Sequence, residues 1–202
     1  LEKALGPEVL LASALNGEPM LPAHGFPLRT VVPGYIGARS VKWLGEIVVQ
    51  AEPSANYFQA EAYRILREPD PVNPRDVSAG ESLGAVPLNA VIASPEAGCV
   101  LRAGMVEVTG WAFGGDASQV ARVEVSPDDG ATWVKATLEE SGGPWSWRFW
   151  HTTLALAAGE RTLVVRAWDQ AGRCQPSRLA EVWNVRGYAN TAWHRVRCAV
   201  AS

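Results

Sequence analysis

The stretch Met105-Val-Glu-Val-Thr-Gly-Trp-Ala-Phe113 decides the fold, and Ala121-Arg-Val-Glu-Val125 and Arg161-Thr-Leu-Val-Val-Arg-Ala-Trp168 follow in the same style. Apolar residues alternate with Glu, Arg or Thr, so every second side chain can face a core while its neighbours meet water. Thr132-Trp-Val-Lys-Ala136 and Trp145-Ser-Trp-Arg-Phe-Trp150 read as strands as well. Turn signals separate them: Gly114-Gly-Asp116, Asp128-Asp-Gly130, Gly142-Gly-Pro144, Ala158-Gly159 and Gln170-Ala-Gly172. Residues 86–202 are therefore expected to form an immunoglobulin-like β-sandwich of about six or seven short strands. Eight of the nine tryptophans lie in this region, where most are expected to fill the core. A Cys…Trp…Cys pattern of the antibody type is missing.

Outward from that region the texture changes. Residues 69–88 carry Pro69, Pro71, Pro74 and Pro87 with Gly80 and Gly84 between them, which reads as a surface linker. Residues 1–80 are broken by Asn16-Gly-Glu-Pro19, His24-Gly-Phe-Pro27 and Val32-Pro-Gly34. Helices are expected at Leu1–Leu5 and Pro7–Leu15, and a plain strand at Ile47–Gln50 with Ser40–Leu44 leading in. A segment of this length and irregularity has difficulty closing a core of its own. Its apolar surface is expected to be partly exposed, and the opening Leu1-Glu-Lys-Ala-Leu5 reads like the middle of a helix, as if the chain were a fragment.

Composition limits the function classes. The 202 residues are 48% hydrophobic and 19% charged with a net charge of −3, which suits a packed protein and argues against a general binder of nucleic acid or membrane surface. Apolar runs stop far short of the roughly 18–20 residues a membrane-spanning helix needs. Cys99, Cys174 and Cys198 are far apart, without CxxC or CxxH spacing, and read as ordinary thiols. His24, His151 and His194 are equally scattered, and no Ser or Cys stands in a nucleophile-elbow context. Asp128-Asp129 and Glu139-Glu140 fall at turns or strand ends and read as solvated.

One segment concentrates cations among glycines: His24, Arg29, Arg39 and Lys42 within His24-Gly-Phe-Pro-Leu-Arg29 and Val32-Pro-Gly-Tyr-Ile-Gly-Ala-Arg-Ser-Val-Lys42. Glycine lets a backbone approach a ligand closely, and Arg and Lys supply charge-assisted donors for a phosphate or another anion. The residues alone leave open whether these cations bind an anion or pair with local Glu. At the other end, Trp183-Asn-Val-Arg-Gly187 and Asn190-Thr-Ala-Trp-His-Arg195 crowd Trp, His and Arg together. On composition this stretch reads as the last strand of the sandwich with capping polar groups.

Taken together, His24–Arg29, Val31–Gly34, Gly37-Ala-Arg-Ser-Val-Lys-Trp-Leu44, Asp129-Gly-Ala-Thr-Trp133, Arg166-Ala-Trp-Asp169, Trp183–Gly187 and Ala192-Trp-His-Arg-Val196 resemble, in order, the sulfite oxidase family of molybdenum-cofactor oxidoreductases. The resemblance implies a mainly β architecture. In it, residues 1–80 are the α+β C-terminal part of the molybdopterin domain and residues 86–202 are the immunoglobulin-like dimerisation domain of a homodimer. It implies that His24, Arg29, Ser40, Val41 and Lys42 contact the molybdenum-molybdopterin cofactor. Tyr63 matches an active-site tyrosine, and Arg186 an arginine of the oxyanion pocket, whose planar fork suits sulfite. The implied reaction is oxygen-atom transfer to sulfite, giving sulfate and sending electrons to a cytochrome or haem.

Nitrate reductases share the architecture, but in their pattern Met stands at the position of Arg186 and Asn at that of Tyr63, so both residues favour sulfite. A non-catalytic dimerisation module is the other alternative. The family's metal ligand is a cysteine in the earlier part of the cofactor domain, and all three cysteines here fall in the β-region. The chain alone is accordingly expected to hold no metal and to be inactive. Its compartment is left open, a periplasmic or other soluble location being compatible with the sequence.

Overall fold

In a computed structural model, residues 1–68, 73, 76–115 and 119–202 are described. Pro69, Pro71 and Pro74 of the expected linker, and Asp116 of the first expected turn, lie outside them. The chain divides into two compact units: Leu1–Val86 with Asn184–Tyr188, and Pro87–Trp183 with Ala189–Ser202. Among the described residues no helix is long and apolar enough to cross a membrane.

The second unit is a β-sandwich. Its strands are β1 (Asn89–Ser94), β2 (Val100–Arg102), β3 (Gly104–Phe113), β4 (Val120–Ser126), β5 (Val134–Lys135), β6 (Thr137–Leu138), β7 (Arg148–Leu156), β8 (Gly159–Asp169) and β9 (His194–Ala201). One sheet has the order β5-β4-β8-β9-β2 and the other β6-β7-β3-β1. All ladders are antiparallel except β9 with β2. The alternation read from sequence is realised directly: along β7, Trp150, Thr152, Leu154 and Leu156 are buried while His151, Thr153 and Ala155 are exposed. Ala90, Ile92, Val108, Ala112, Val123, Val125, Leu163, Val165, Ala167, Val196 and Cys198 close the core from both sheets. The turn at Asp128-Asp-Gly130 is held by the buried Ser126, whose Oγ accepts the Asp128 and Gly130 N–H groups at 3.2 and 2.8 Å.

Only Trp150 of the eight tryptophans here is buried, contrary to expectation. The others occupy outer-face or loop positions. The Arg166 guanidinium lies over Trp133 at 3.8 Å, Trp193 at 5.3 Å and Trp168 at 5.5 Å, and is itself paired with Glu124 at 2.7 Å. Indole faces attract cations, so these rings cover a sheet exterior rather than a core. On the opposite sheet Trp111 meets Trp147 edge-on at 4.5 Å. Trp150 owes its place to Gly110, where any Cβ would collide with the indole and with the Val91 carbonyl.

The first unit mixes single helical turns with two-stranded ladders. The helix expected at Pro7–Leu15 is absent; Leu10–Ala12 is a strand paired with Arg29–Val31, and Ala14–Leu15 pairs with Glu18–Pro19. Leu1–Leu5 retains one 3-10 turn, Lys3–Leu5. The strand expected at Ile47–Gln50 does not form either, because no partner lies beside it among the described residues, and Ile47, Val48 and Val49 are 63%, 64% and 77% exposed. Ser40–Leu44 is likewise loop. Leu10, Leu11, Leu15, Leu21, Phe26, Trp43 and Phe58 are exposed too, as expected of a segment that does not close its own core.

Candidate functional site

The glycine-and-cation loop forms a small clasp in the first unit. The 3-10 turn Pro22–His24 ends at Gly25, which has φ +113°. A Cβ at Gly25 would come within 3.1 Å of both the Arg29 and the Lys42 Cβ, so this glycine lets two cationic residues close on one point of backbone. Arg29 donates to the His24 carbonyl at 2.9 Å and the Ser40 carbonyl at 3.3 Å. Lys42 Nζ donates to the Ala23 carbonyl at 2.7 Å, and Trp43 Nε1 to the Pro22 carbonyl at 2.9 Å. His24, Arg29, Ser40 and Lys42 are thus brought together, with His24 and Lys42 exposed.

Two backbone donors of this loop are already engaged. The Val41 N–H donates to Thr30 Oγ1 at 2.6 Å and the Ser40 N–H to the Gly37 carbonyl at 3.0 Å. Ser40 Oγ accepts the Val32 N–H at 3.0 Å, which leaves its hydroxyl proton free to donate. Side chains offer donors toward a ligand: Arg29 and Lys42 each keep N–H groups beyond those bound to carbonyls. Such a set fits the terminal phosphate of a pterin cofactor, an anion that takes several charge-assisted bonds.

Arg39 departs from the reading by residue type. Its guanidinium turns into the unit and donates to the Leu83 carbonyl at 3.0 Å, to Ser82 Oγ at 2.8 Å and to Gln59 Oε1. Burial pushes its pKa below the ordinary value. The sequence leaves open whether Arg39, one of the four cations among the glycines, faces an anion or a local partner. The Arg39 side chain pins the loop to the segment carrying Tyr63, because the Leu83 N–H donates to the Tyr63 carbonyl at 2.7 Å.

Tyr63 follows a π-helical turn, Phe58–Ala62, braced by Arg64 donating to the Gln59 carbonyl at 3.2 Å. The half-buried Tyr63 ring stacks at a tilt on Phe58 at 6.2 Å and on Tyr188 at 5.8 Å. The segment bearing Arg186 belongs to this unit: the Val185 N–H donates to the Leu66 carbonyl at 3.0 Å. Asn184, buried, ties the tight turn by donating to the Tyr188 carbonyl at 2.6 Å and accepting its N–H at 3.1 Å. Arg186 sits at the exposed tip of that turn, with no hydrogen bond or ion pair from its guanidinium to a described residue. Tyr188, which joins the two segments, carried no signal in the sequence beyond being aromatic.

Cys99, Cys174 and Cys198 all belong to the sandwich, and no group of three or more His, Cys, Asp or Glu able to hold a metal ion occurs among the described residues. Asp128 is a turn cap, its carboxyl held below the usual range by hydrogen bonds from Thr132 and Ser126.

The chain is similar to known proteins over its whole length. Residues 81–201 match the family model of the Mo-co oxidoreductase dimerisation domain, and residues 1–58 that of the oxidoreductase molybdopterin binding domain. The mitochondrial sulfite oxidase of Macaca fascicularis is 39% identical over the whole chain, which spans 38% of that relative's length. A nitrate reductase of Hordeum vulgare is 36% identical over 96% of the chain and 24% of its own length. Among solved structures, the sulfane dehydrogenase SoxCD of Paracoccus pantotrophus superposes with a TM-score of 0.78 at 26% identity, covering 97% of this chain and 49% of that one.

Proposed function

Because the chain belongs to the family of molybdenum-cofactor oxidoreductases that includes the sulfite oxidases, we propose that it supplies the cofactor-phosphate clasp and part of the substrate pocket of a sulfite-oxidising enzyme. The observation that carries this reading is the convergence of Arg29 and Lys42 on Gly25 in the unit that also carries Tyr63 and Arg186. Residues 1–80 are assigned to the end of the molybdopterin domain and 86–202 to the dimerisation domain.

His24, Arg29, Ser40 and Lys42 hold the phosphate of molybdenum-molybdopterin through side-chain donors, and Val41 shapes the loop through its bond to Thr30. When bound, the cofactor supplies oxygen-atom transfer and the storage of electrons. Arg186 binds the oxyanion with a planar fork that offers parallel N–H donors. Tyr63, its ring fixed between Phe58 and Tyr188, presents its hydroxyl as a further donor. The first unit contains no cysteine, so a thiolate for the metal must come from outside it, and the 202-residue chain by itself turns over no sulfite. Electrons leave to a cytochrome or haem partner.

The test is sulfite-dependent ferricyanide reduction, with molybdenum content measured by elemental mass spectrometry on the same sample, for this chain and for the product of the whole gene. The chain alone should be inactive. In the whole product, Arg186→Met should lower kcat/KM for sulfite by about 100- to 1000-fold, the effect of removing one oxyanion donor, with molybdenum content unchanged. An unaltered kcat/KM, or better turnover of nitrate than of sulfite by the unaltered protein, would defeat the assignment.

The second part of the proposal is a homodimer paired through the outer face of the β6-β7-β3-β1 sheet. Phe149 stands opposite Trp111 in the ladder, and with Trp145 and Trp147 they line an open groove of about 720 Å³. Trp147 and Phe149 are 51% and 54% exposed. Contiguous aromatic surface of this kind marks association sites, and residues 81–201 match a dimerisation family.

A further inference from the structure

Two of the three thiols stand side by side in the sandwich. In the parallel ladder, Val100 of β2 faces Ala199 of β9, which sets Cys99 beside Cys198. Backbone bonds flank the pair on both sides: the Gly98 N–H donates to the Arg197 carbonyl at 2.7 Å, and the Ala199 N–H to the Cys99 carbonyl at 3.1 Å. Neighbouring strands lie about 4.7–4.9 Å apart, within the Cα separation of about 4.4–6.8 Å that a disulfide spans. Both side chains face the same way, since Cys198 is a member of the core and Cys99 packs against it. Cys99 is half-buried and Cys198 fully buried.

We propose that Cys99 and Cys198 form a redox-reversible dithiol that closes to a disulfide across the β2–β9 ladder. The oxidant is a low-molecular-weight disulfide. The Cys99 thiolate, the sulfur nearer to solvent, attacks one sulfur of that disulfide, breaks its S–S bond and releases one small thiol. Cys198 then gives up its proton and attacks Cys99 Sγ in the mixed disulfide, and the second small thiol leaves. Two protein thiols are oxidised and one small disulfide is reduced to two thiols. Burial first, and then the adjacent Cys99, push the Cys198 thiol up, which suits a resolving sulfur that reacts only once its neighbour has been attacked. Closing the bridge ties the start of the sandwich to its last strand, so the oxidised unit should melt at a higher temperature.

The experiment treats the whole chain with oxidised glutathione, then denatures and alkylates it, with intact mass and peptide mapping as readouts. The expected product has lost the mass of two hydrogens, carries one alkylated thiol at Cys174, and yields a single linked peptide pair joining Cys99 to Cys198. Dithiothreitol should restore three alkylatable thiols and the lower melting temperature. Cys174→Ser should still close the bridge, and Cys99→Ser should not. Cys198 is deeply packed, so Cys99→Ser, at the more exposed position, carries the test without depending on a core substitution. Three alkylatable thiols after oxidation, a glutathione adduct left unresolved on Cys99, or a linkage through Cys174 would each overturn the proposal.

Discussion

The two units are built on different physics. In the sandwich, Val108, Val123, Val125, Leu154, Leu163 and Val165 are shielded almost completely from water, and the ladders follow from period-two alternation. Among the described hydrophobic residues of the first unit only Met20, Ala62, Val77 and Leu83 are buried, while side chains reach long distances along the sequence to bind backbone carbonyls. Arg39 crosses 44 residues to Leu83 and Lys42 crosses 19 to Ala23. A region held by burial tolerates polar change on its surface. A region held by polar pins loses its shape when one pin is removed, which is the condition under which a cation-lined loop can be shaped to a ligand.

The comparison breaks most directly at Trp150. Its indole fills the space over Gly110, and its Nε1–H has no hydrogen-bond partner among the described residues, so its contribution is packing. Trp150→Ala should destabilise the sandwich by about 3–5 kcal/mol in urea unfolding. Gly110→Ala should also destabilise it, because the added methyl has nowhere to go. A loss below about 1 kcal/mol for Trp150→Ala would mean that the core is not what holds this unit.

Next in size is the aromatic exterior. Trp147→Glu places a charge in the proposed pairing face and should weaken self-association by about 2 kcal/mol or more, seen as a shift to monomer in light scattering. An unshifted dimer would move the interface elsewhere and leave the outer rings as a surface coat.

The first unit is probed by Arg39→Ala. It deletes the donors to Leu83, Ser82 and Gln59 and leaves a partly buried carbonyl unsatisfied, at a cost of about 1–3 kcal/mol. Hydrogen exchange at the Leu83 amide, which caps the Tyr63 carbonyl, should speed up, and amides of β7 should not change. Equal acceleration in β7 would show that Arg39 acts through general stability rather than as a local pin.

What the sequence disclosed follows the same division. Alternation in Met105–Phe113 and Arg161–Trp168 announced its strands because a half-buried sheet imposes period two. Leu10, Leu11, Ala14 and Leu15 mimicked a helical stripe, yet pairing of Leu10–Ala12 with Arg29–Val31 depends on a distant partner that no local window contains. Most of the tryptophans are expected in the core. Whether an indole packs inward or lies under a cation depends on strand parity, and Phe149 and Trp150 are adjacent residues with opposite fates. The loop proposed to hold the cofactor is legible as a collection of glycines and cations. The inward turn of Arg39 is not, because a guanidinium serves a carbonyl as readily as a phosphate. Arg186 entered only through resemblance, since an exposed arginine on a turn has no local signature.

The smallest effect concerns how the sandwich tolerates a polar group inside its framework. His194 begins β9, and its Nδ1 accepts the Ile92 N–H of the opposite sheet at 3.1 Å. Acceptance requires the neutral ring, because an imidazolium has donors only. Burial pushes the pKa of His194 below its ordinary value of 6.5. A folded pKa lower than the unfolded one means that the unfolded chain binds the extra proton first. The histidine's contribution is therefore complete above 6.5, declines as pH falls through the interval down to the folded pKa, and levels off below it. Unfolding at about pH 7 and about pH 5 should show this decline. His194→Gln keeps an acceptor that does not titrate there, so it should flatten the dependence while leaving the sheets joined. If the slope persists in His194→Gln, the acid sensitivity lies in other groups, and the Ile92 bond survives protonation of its surroundings.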